Sequence, residues 1–194
     1  MVSSRRQGLA ERFSRIGSAL VSLALVSCVA LIAPTPANAT ACPPASAGGQ
    51  VIGLIKVGNV EVPLVRMRFP RSGVIEPPKT SKVAGVSDAH APLNADLGTT
   101  VIAWHVAYGA QCPGSLNPLL KLPVGATFTV YDFNSPGEGQ VYEVANKVLT
   151  PRGRYPESWF NQGGPHRLAL FTCADRAGGV FRKTAGIFAV PVEK

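Results

Sequence analysis

From residue 51 onward, short apolar runs alternate with breaks made of Gly, Pro, Asn and Asp. VIGLIKV (51–57) has the length and β-branched content of a strand, and Gly58-Asn59 ends it. VEVPLVRM (60–67) follows as a second strand. Pro63 places it near a sheet edge, because proline gives a ladder no N–H. Residues 69–98 keep no period and read mostly as loop with short helical turns. TTVIAWHVA (99–107) predicts a strand that ends at His105 or just beyond. LNPLLKL is the best short helix, stopped by Pro123 and Gly125. ATFTVYDF and QVYEVANKVL alternate apolar and polar positions, as half-buried antiparallel strands do, and NSPGEG between them is turn chemistry. HRLALFTC (166–173) and AGIFAVPV (185–192) complete the set. About eight short strands with one or two short helices, and no internal repeat, predict an all-β domain closed into a barrel. The 20 Gly and 17 Pro agree with a turn-rich chain, and 46% apolar residues suffice for a core.

The N-terminus follows another pattern. A basic stretch, SSRRQGLAERFSR, precedes an uncharged apolar run over residues 16–33, and Ala37-Asn38-Ala39 then fits a small-x-small cleavage site. Residues 1–39 therefore read as a signal peptide cut after Ala39. The apolar run matches the shortest membrane-spanning helices, so a retained membrane anchor is the alternative. Leu25-Val26-Ser27-Cys28 is a weak lipoprotein box, because apolar sequence continues past the cysteine. Arg5-Arg6 is a weak twin-arginine signal, because QGL follows it. Residues 40–50 form a flexible lead-in, and 51–194 form the domain. The expected location is outside the cell or at the outer face of the cytoplasmic membrane.

Of the net charge of +8, the leader's four arginines and one glutamate leave +5 on the remainder. Its Lys and Arg are scattered with no aromatic-interleaved basic patch, which argues against nucleic-acid binding. Weak attraction to anionic wall polymers or lipid is all that this charge implies.

Export changes how the cysteines read. With Cys28 removed in the leader, Cys42, Cys112 and Cys173 remain, an odd number. Cys42 in TACPPASAGGQ and Cys112 in YGAQCPGS both lie in mobile stretches that a staple would hold. Cys173 closes an apolar strand. The simplest pairing is Cys42 with Cys112, which leaves Cys173 free, although three pairings are possible.

A free thiol at a strand end has a bland reading, a small buried apolar group, and a chemical one. His105, Cys173 and Arg182 all fall at expected strand ends and together would suit acyl transfer. A thiolate attacks a carbonyl, an imidazole protonates the departing amine, and a guanidinium holds the oxyanion. From the residues alone, His90 and His166 compete for the imidazole's part and Arg176 for the guanidinium's.

The chain resembles the sortases, and most closely the short actinobacterial sortases of classes E and F. Ala169-Leu170-Phe171-Thr172-Cys173 is similar to the family's Thr-Leu-x-Thr-Cys motif. Thr100-Val101-Ile102-Ala103-Trp104-His105-Val106-Ala107 is similar to its TVLAGHVD stretch, and Phe181-Arg182 precedes the last strand as the family's arginine does. SLNPLLKLPVGATFTVY matches the helix, Pro-Gly turn and strand between the first two motifs. The likeness spans roughly residues 51–194.

That resemblance implies a sortase-type β-barrel and a cysteine transpeptidase. Cys173 would be the nucleophile, His105 the proton carrier and Arg182 the oxyanion donor. The substrates would be C-terminal peptide sorting signals of secreted proteins and a cell-wall precursor amine, with no cofactor and no metal. The departures are Trp104 for the usual Gly, Ala107 for Asp, Ala169 for Thr, a short Cys173-to-Arg182 loop and no aromatic VGWY-like run in 82–98. Trp104 is expected to narrow the peptide groove. A sortase-like hydrolase and an inactive secreted binding module are the rivals. An L,D-transpeptidase fits less well, because its Ser-x-Gly-Cys-type motif has no counterpart in LALFTC.

Overall fold

A computed structural model describes residues 41–69, 74–135, 137 and 139–193. The leader expectation lies outside the described residues. The strands are β1 (Val51–Val57), β2 (Val60–Met67), β3 (Ala84–Ser87), β4 (Thr99–Ala103), β5 (Ala107–Tyr108), β6 (Cys112–Pro113), β7 (Thr127–Asp132), β8 (Gln140–Pro151), β9 (Arg167–Ala177) and β10 (Val180–Pro191). One helical turn, α1 (Pro118–Lys121), and two 3-10 turns, Ala45–Gly48 and Glu157–Phe160, complete the elements.

Eight strands close into a barrel in the order β1-β2-β3-β4-β9-β10-β8-β7, with β7 pairing back to β1. The pairings are antiparallel except β2–β3 and β4–β9. Closure follows from the alternation. Ile55, Val62, Leu64, Ile102, Val144, Leu168, Leu170 and Ile187 point inward as one core, every one fully buried. A second cluster lies on the opposite face of the same strands: Val101, Ala103, Ala169 and Phe171, joined by Met67, Ile75 and Trp159. Strand β9 therefore buries both faces, which is why LALF reads as a continuous apolar run.

Four expectations change. The region 69–98 contains a barrel strand, β3. Its AGVS is buried at every position and carries one bulky apolar residue, so neither periodicity nor composition marked it. Proline 63 is not at an edge, since closure leaves none. It precedes the β2–β3 ladder, which starts at Leu64 paired with Ala84. Strand β9 does not stop at Cys173 but runs on to Ala177. Arg182 lies inside β10 rather than before it. The two strands extend because Gly178 and Gly179, both at positive φ (59° and 82°), make a two-residue hairpin turn between Ala177 and Val180.

Candidate active site

Side chains alternate along β9. Leu168 and Leu170 enter the interior core and Ala169 and Phe171 the outer cluster. Cys173 comes two residues after Phe171 and so stands on the outer face. It is half-buried and free, while Cys42 and Cys112 form a disulfide with their Cα atoms 5.5 Å apart.

Each neighbouring strand leads to a predicted residue, although neither His105 nor Arg182 lines the cavity that contains Cys173. Strand β4 runs parallel to β9 with Ala103 opposite Phe171. The register continues past the end of β4, since Trp104 N–H donates to the Phe171 carbonyl (3.2 Å) and Thr172 Oγ1 donates to the Trp104 carbonyl (2.7 Å). That continuation carries His105 alongside Cys173. On the other side, Thr184 of β10 is opposite Cys173, and Arg182, exposed, is two residues along. Arg176 is directed elsewhere, with its guanidinium over the Phe181 ring at 5.7 Å. Among the described residues no hydrogen bond or ion pair directly joins His105, Cys173 and Arg182.

The cavity at Cys173 is small, about 40 Å³, and is bordered by residues from two connections. Ile75 and Pro77 come from the β2–β3 connection, and Tyr155 comes from the β8–β9 connection. Glycines seat both covers. A Cβ on Gly85 would lie 2.9 Å from Pro78 Cδ, and one on Gly186 would lie 2.9 Å from Trp159. Tyr155 packs edge-on against Phe171 (4.9 Å) and Phe160 (5.9 Å).

Partial burial sets the electrostatics. Burial pushes the Cys173 thiol up, and the Arg152 guanidinium opposes the shift. Burial pushes the His105 imidazole down, and the backbone carbonyls of Pro78 and Pro77 oppose that. Both shifts favour the neutral forms of the two groups.

The competing histidines have structural partners. His90 Nδ1 shares a 2.7 Å hydrogen bond with Ser87 Oγ, and its ring packs on Phe69 and Phe160. His166 is buried. Thr100 Oγ1 donates to the Pro92 carbonyl (2.8 Å), so it accepts from His166 Nε2–H (2.8 Å). Nδ1 then accepts from the Tyr142 hydroxyl (3.2 Å), and the neutral ring is satisfied. Larger cavities of about 330 and 430 Å³ border these two histidines, but none of His105, Cys173 and Arg182 lines either one.

Trp104 lines the cavity at Cys173 in part but is packed inward. Its side chain is 1% exposed within the interior core, and its indole Nε1 donates to Asn117 Oδ1 (3.2 Å). Tyr155 and Arg152 escaped the sequence reading. They belong to a connection whose path over β9 no local pattern reveals, and RGRY resembles many solvated turns.

No family model matches the chain, and no curated protein matches it. Solved structures do. Sortase C1 from Streptococcus suis is 19% identical with a TM-score of 0.56, covering 75% of this chain and 74% of that one. Sortase C-1 from Actinomyces oris is 16% identical with a TM-score of 0.55, covering 75% and 76%. Sortase A from Corynebacterium diphtheriae is 16% identical with a TM-score of 0.55, covering 75% and 62%. The closed eight-stranded barrel is therefore the sortase fold.

Proposed function

We propose that the chain is a cysteine transpeptidase of the sortase type, related by its motifs to the class E and F enzymes of actinobacteria and acting at the outer face of the cytoplasmic membrane. One observation carries the reading: the free thiol stands on the barrel strand flanked by the strands leading to His105 and Arg182. In the reaction, the thiol gives its proton to His105 and its sulfur attacks the carbonyl carbon of a sorting motif. Arg182 holds the charge that develops on oxygen. His105 returns the proton to the departing amine as the C–N bond breaks, leaving a thioester. A cell-wall amine then attacks, loses a proton to His105, and expels the sulfur. The thioester conserves the free energy of the cut amide, so the exchange needs no ATP.

The pocket at Cys173 is shallow and small, about 40 Å³, and Ile75, Pro77 and Tyr155 border it. A peptide bound over Cys173 would run past Ile75, Pro77 and Tyr155. The small size of this pocket is the observation that favours the rival reading of a binding module without activity. Turnover of a fluorogenic sorting peptide separates the two. The transpeptidase reading expects product that Cys173→Ala abolishes, and fails if wild-type and variant proteins release equal fluorescence. Adding a nucleophilic amine distinguishes transfer from hydrolysis, since only transfer yields the amide adduct.

A further inference from the structure

A second arginine, Arg152, lies near Cys173 besides the strand that carries Arg182. Strand β8 runs antiparallel to β10 with Pro151 opposite Lys183. Just past Pro151, Arg152 N–H donates to the Arg182 carbonyl (2.9 Å), and Gly153 N–H donates to Thr184 Oγ1 (3.0 Å). Thr184 is the β10 residue opposite Cys173. Three residues on, Tyr155 lines the cavity that contains the thiol. The backbone at Arg152 is thus held close to the nucleophile by its own and its neighbour's N–H, with the side chain exposed.

We infer that the Arg152 guanidinium is the charge that stabilises the Cys173 thiolate, which leaves Arg182 for the oxyanion. This rests on the acyl-transfer reading and divides its positive charge between two side chains. The Sγ–H bond breaks, His105 takes the proton, and the electron pair stays on sulfur opposite Arg152. The guanidinium keeps its charge at every working pH, so it serves each turnover without exchanging a proton. Burial makes the thiolate costly, and a nearby cation is the ordinary remedy. Arg152 is the cation whose field acts on this sulfur.

Other charged or titratable groups stand on the elements around Cys173. Lys183 is paired with Asp175 (3.5 Å), and Arg176 rests on Phe181. Among the described residues of the two covering connections, Arg154 and Glu157 flank Tyr155, and Glu76, Lys79 and Lys82 lie near Pro77. Arg182 stands on β10, and His105 and Tyr155 are the neighbouring titratable rings.

The test is the pH profile of Cys173 alkylation by iodoacetamide in the folded chain, read by intact mass. Arg152→Gln is expected to move the profile to higher pH and to slow alkylation at pH 7 by roughly three- to tenfold. Arg152→Lys should restore most of the rate, because it keeps the charge and the backbone contacts. Raising the salt concentration should move the wild-type profile in the same direction as Arg152→Gln, which keeps the inference testable if that variant folds poorly. A profile that Arg152→Gln leaves unmoved overturns it. So does a profile that Arg182→Gln moves as far while Arg152→Lys fails to rescue. These profiles need no peptide. A wild-type chain that turns over no sorting peptide would sink the acyl-transfer reading while the alkylation rates still decide which arginine acts on sulfur.

Discussion

Cys173 and His105 are held by different means. Cys173 lies within an eleven-residue strand, laddered to β10 on one side and flanked by the end of β4 on the other. His105 follows the end of β4, outside regular structure, in a segment tied down from outside the barrel. The Cys42–Cys112 disulfide anchors the small β5–β6 sheet that follows it. Gly114 packs directly on the His105 carbonyl, where a Cβ would collide, and Asn117 Nδ2 donates to the Val106 carbonyl (2.8 Å). The barrel core positions the proposed nucleophile, and a peripheral knot positions the proposed proton carrier. Damage to the knot should therefore disable turnover while sparing the thiol.

The largest effects test whether the two sides separate. Cys173→Ala should abolish acyl-enzyme formation, read by mass spectrometry with a sorting peptide, because no other group here can carry the thioester. His105→Ala should leave a thiol that still alkylates and should lower turnover by about 10²–10⁴-fold. If His105→Ala also blocked alkylation, the two regions would be one cooperative unit and the comparison would fail. Arg182→Lys should also lose most turnover, since a point charge replaces a planar fork, whereas Arg176→Ala should be tolerated.

Replacing Cys42 and Cys112 with Ser comes next. Loss of the bridge should cost about 2–5 kcal/mol, measured by denaturant unfolding. The comparison sharpens if turnover falls at denaturant concentrations where Cys173 still alkylates at its native rate. Simultaneous loss of both would show that the knot supports the whole barrel.

The same contrast explains what was legible in the sequence. Strands of the barrel announce themselves through alternation and apolar runs, so β1, β2, β7, β8 and the core of β9 and β10 could be placed from residue pattern alone. So could the disulfide, from the odd cysteine count and the mobility of two of the three sites. Strand β3 could not, because AGVS earns its place by burial in a parallel pairing with β2, a long-range fact. The direction of Trp104 was hidden too, since the alternation that sends it inward depends on where β4 meets β9. Arg152 and Tyr155 reach the thiol only because a connection folds back over the sheet. Residues 75–77 cover Cys173 from a stretch that reads as loop. Local pattern reports which residues form strands, and it is silent on which loops cross them.

Asn117→Ala should give a smaller loss, about 1–3 kcal/mol, because it orphans the buried Trp104 indole N–H and releases the Val106 carbonyl. Its effect on turnover should exceed that of a barrel substitution of equal stability cost, such as Ile187→Val. Equal losses would mean that Asn117 acts through stability alone.

The smallest effect concerns acid. His166 joins β4 to β8 through Thr100 and Tyr142 immediately before β9 begins, so it belongs to the barrel side of the comparison. Burial lowers its pKa below the ordinary 6.5, and Arg167 adds to the shift. The unfolded chain then binds the proton more readily than the folded one. The stability that the neutral ring contributes is complete above pH 6.5 and is lost as pH falls toward and through the folded pKa. His105 and His90 are shifted in the same direction and add to the slope. Unfolding free energy measured between pH 7.5 and 5 should therefore decline, and His166→Gln should flatten that decline while leaving the pH profile of turnover unchanged. His105→Gln should remove the turnover profile instead. A His166→Gln chain with the wild-type acid slope would show that its ring is charged in the folded barrel, and the hydrogen-bond assignment through Thr100 would then be wrong.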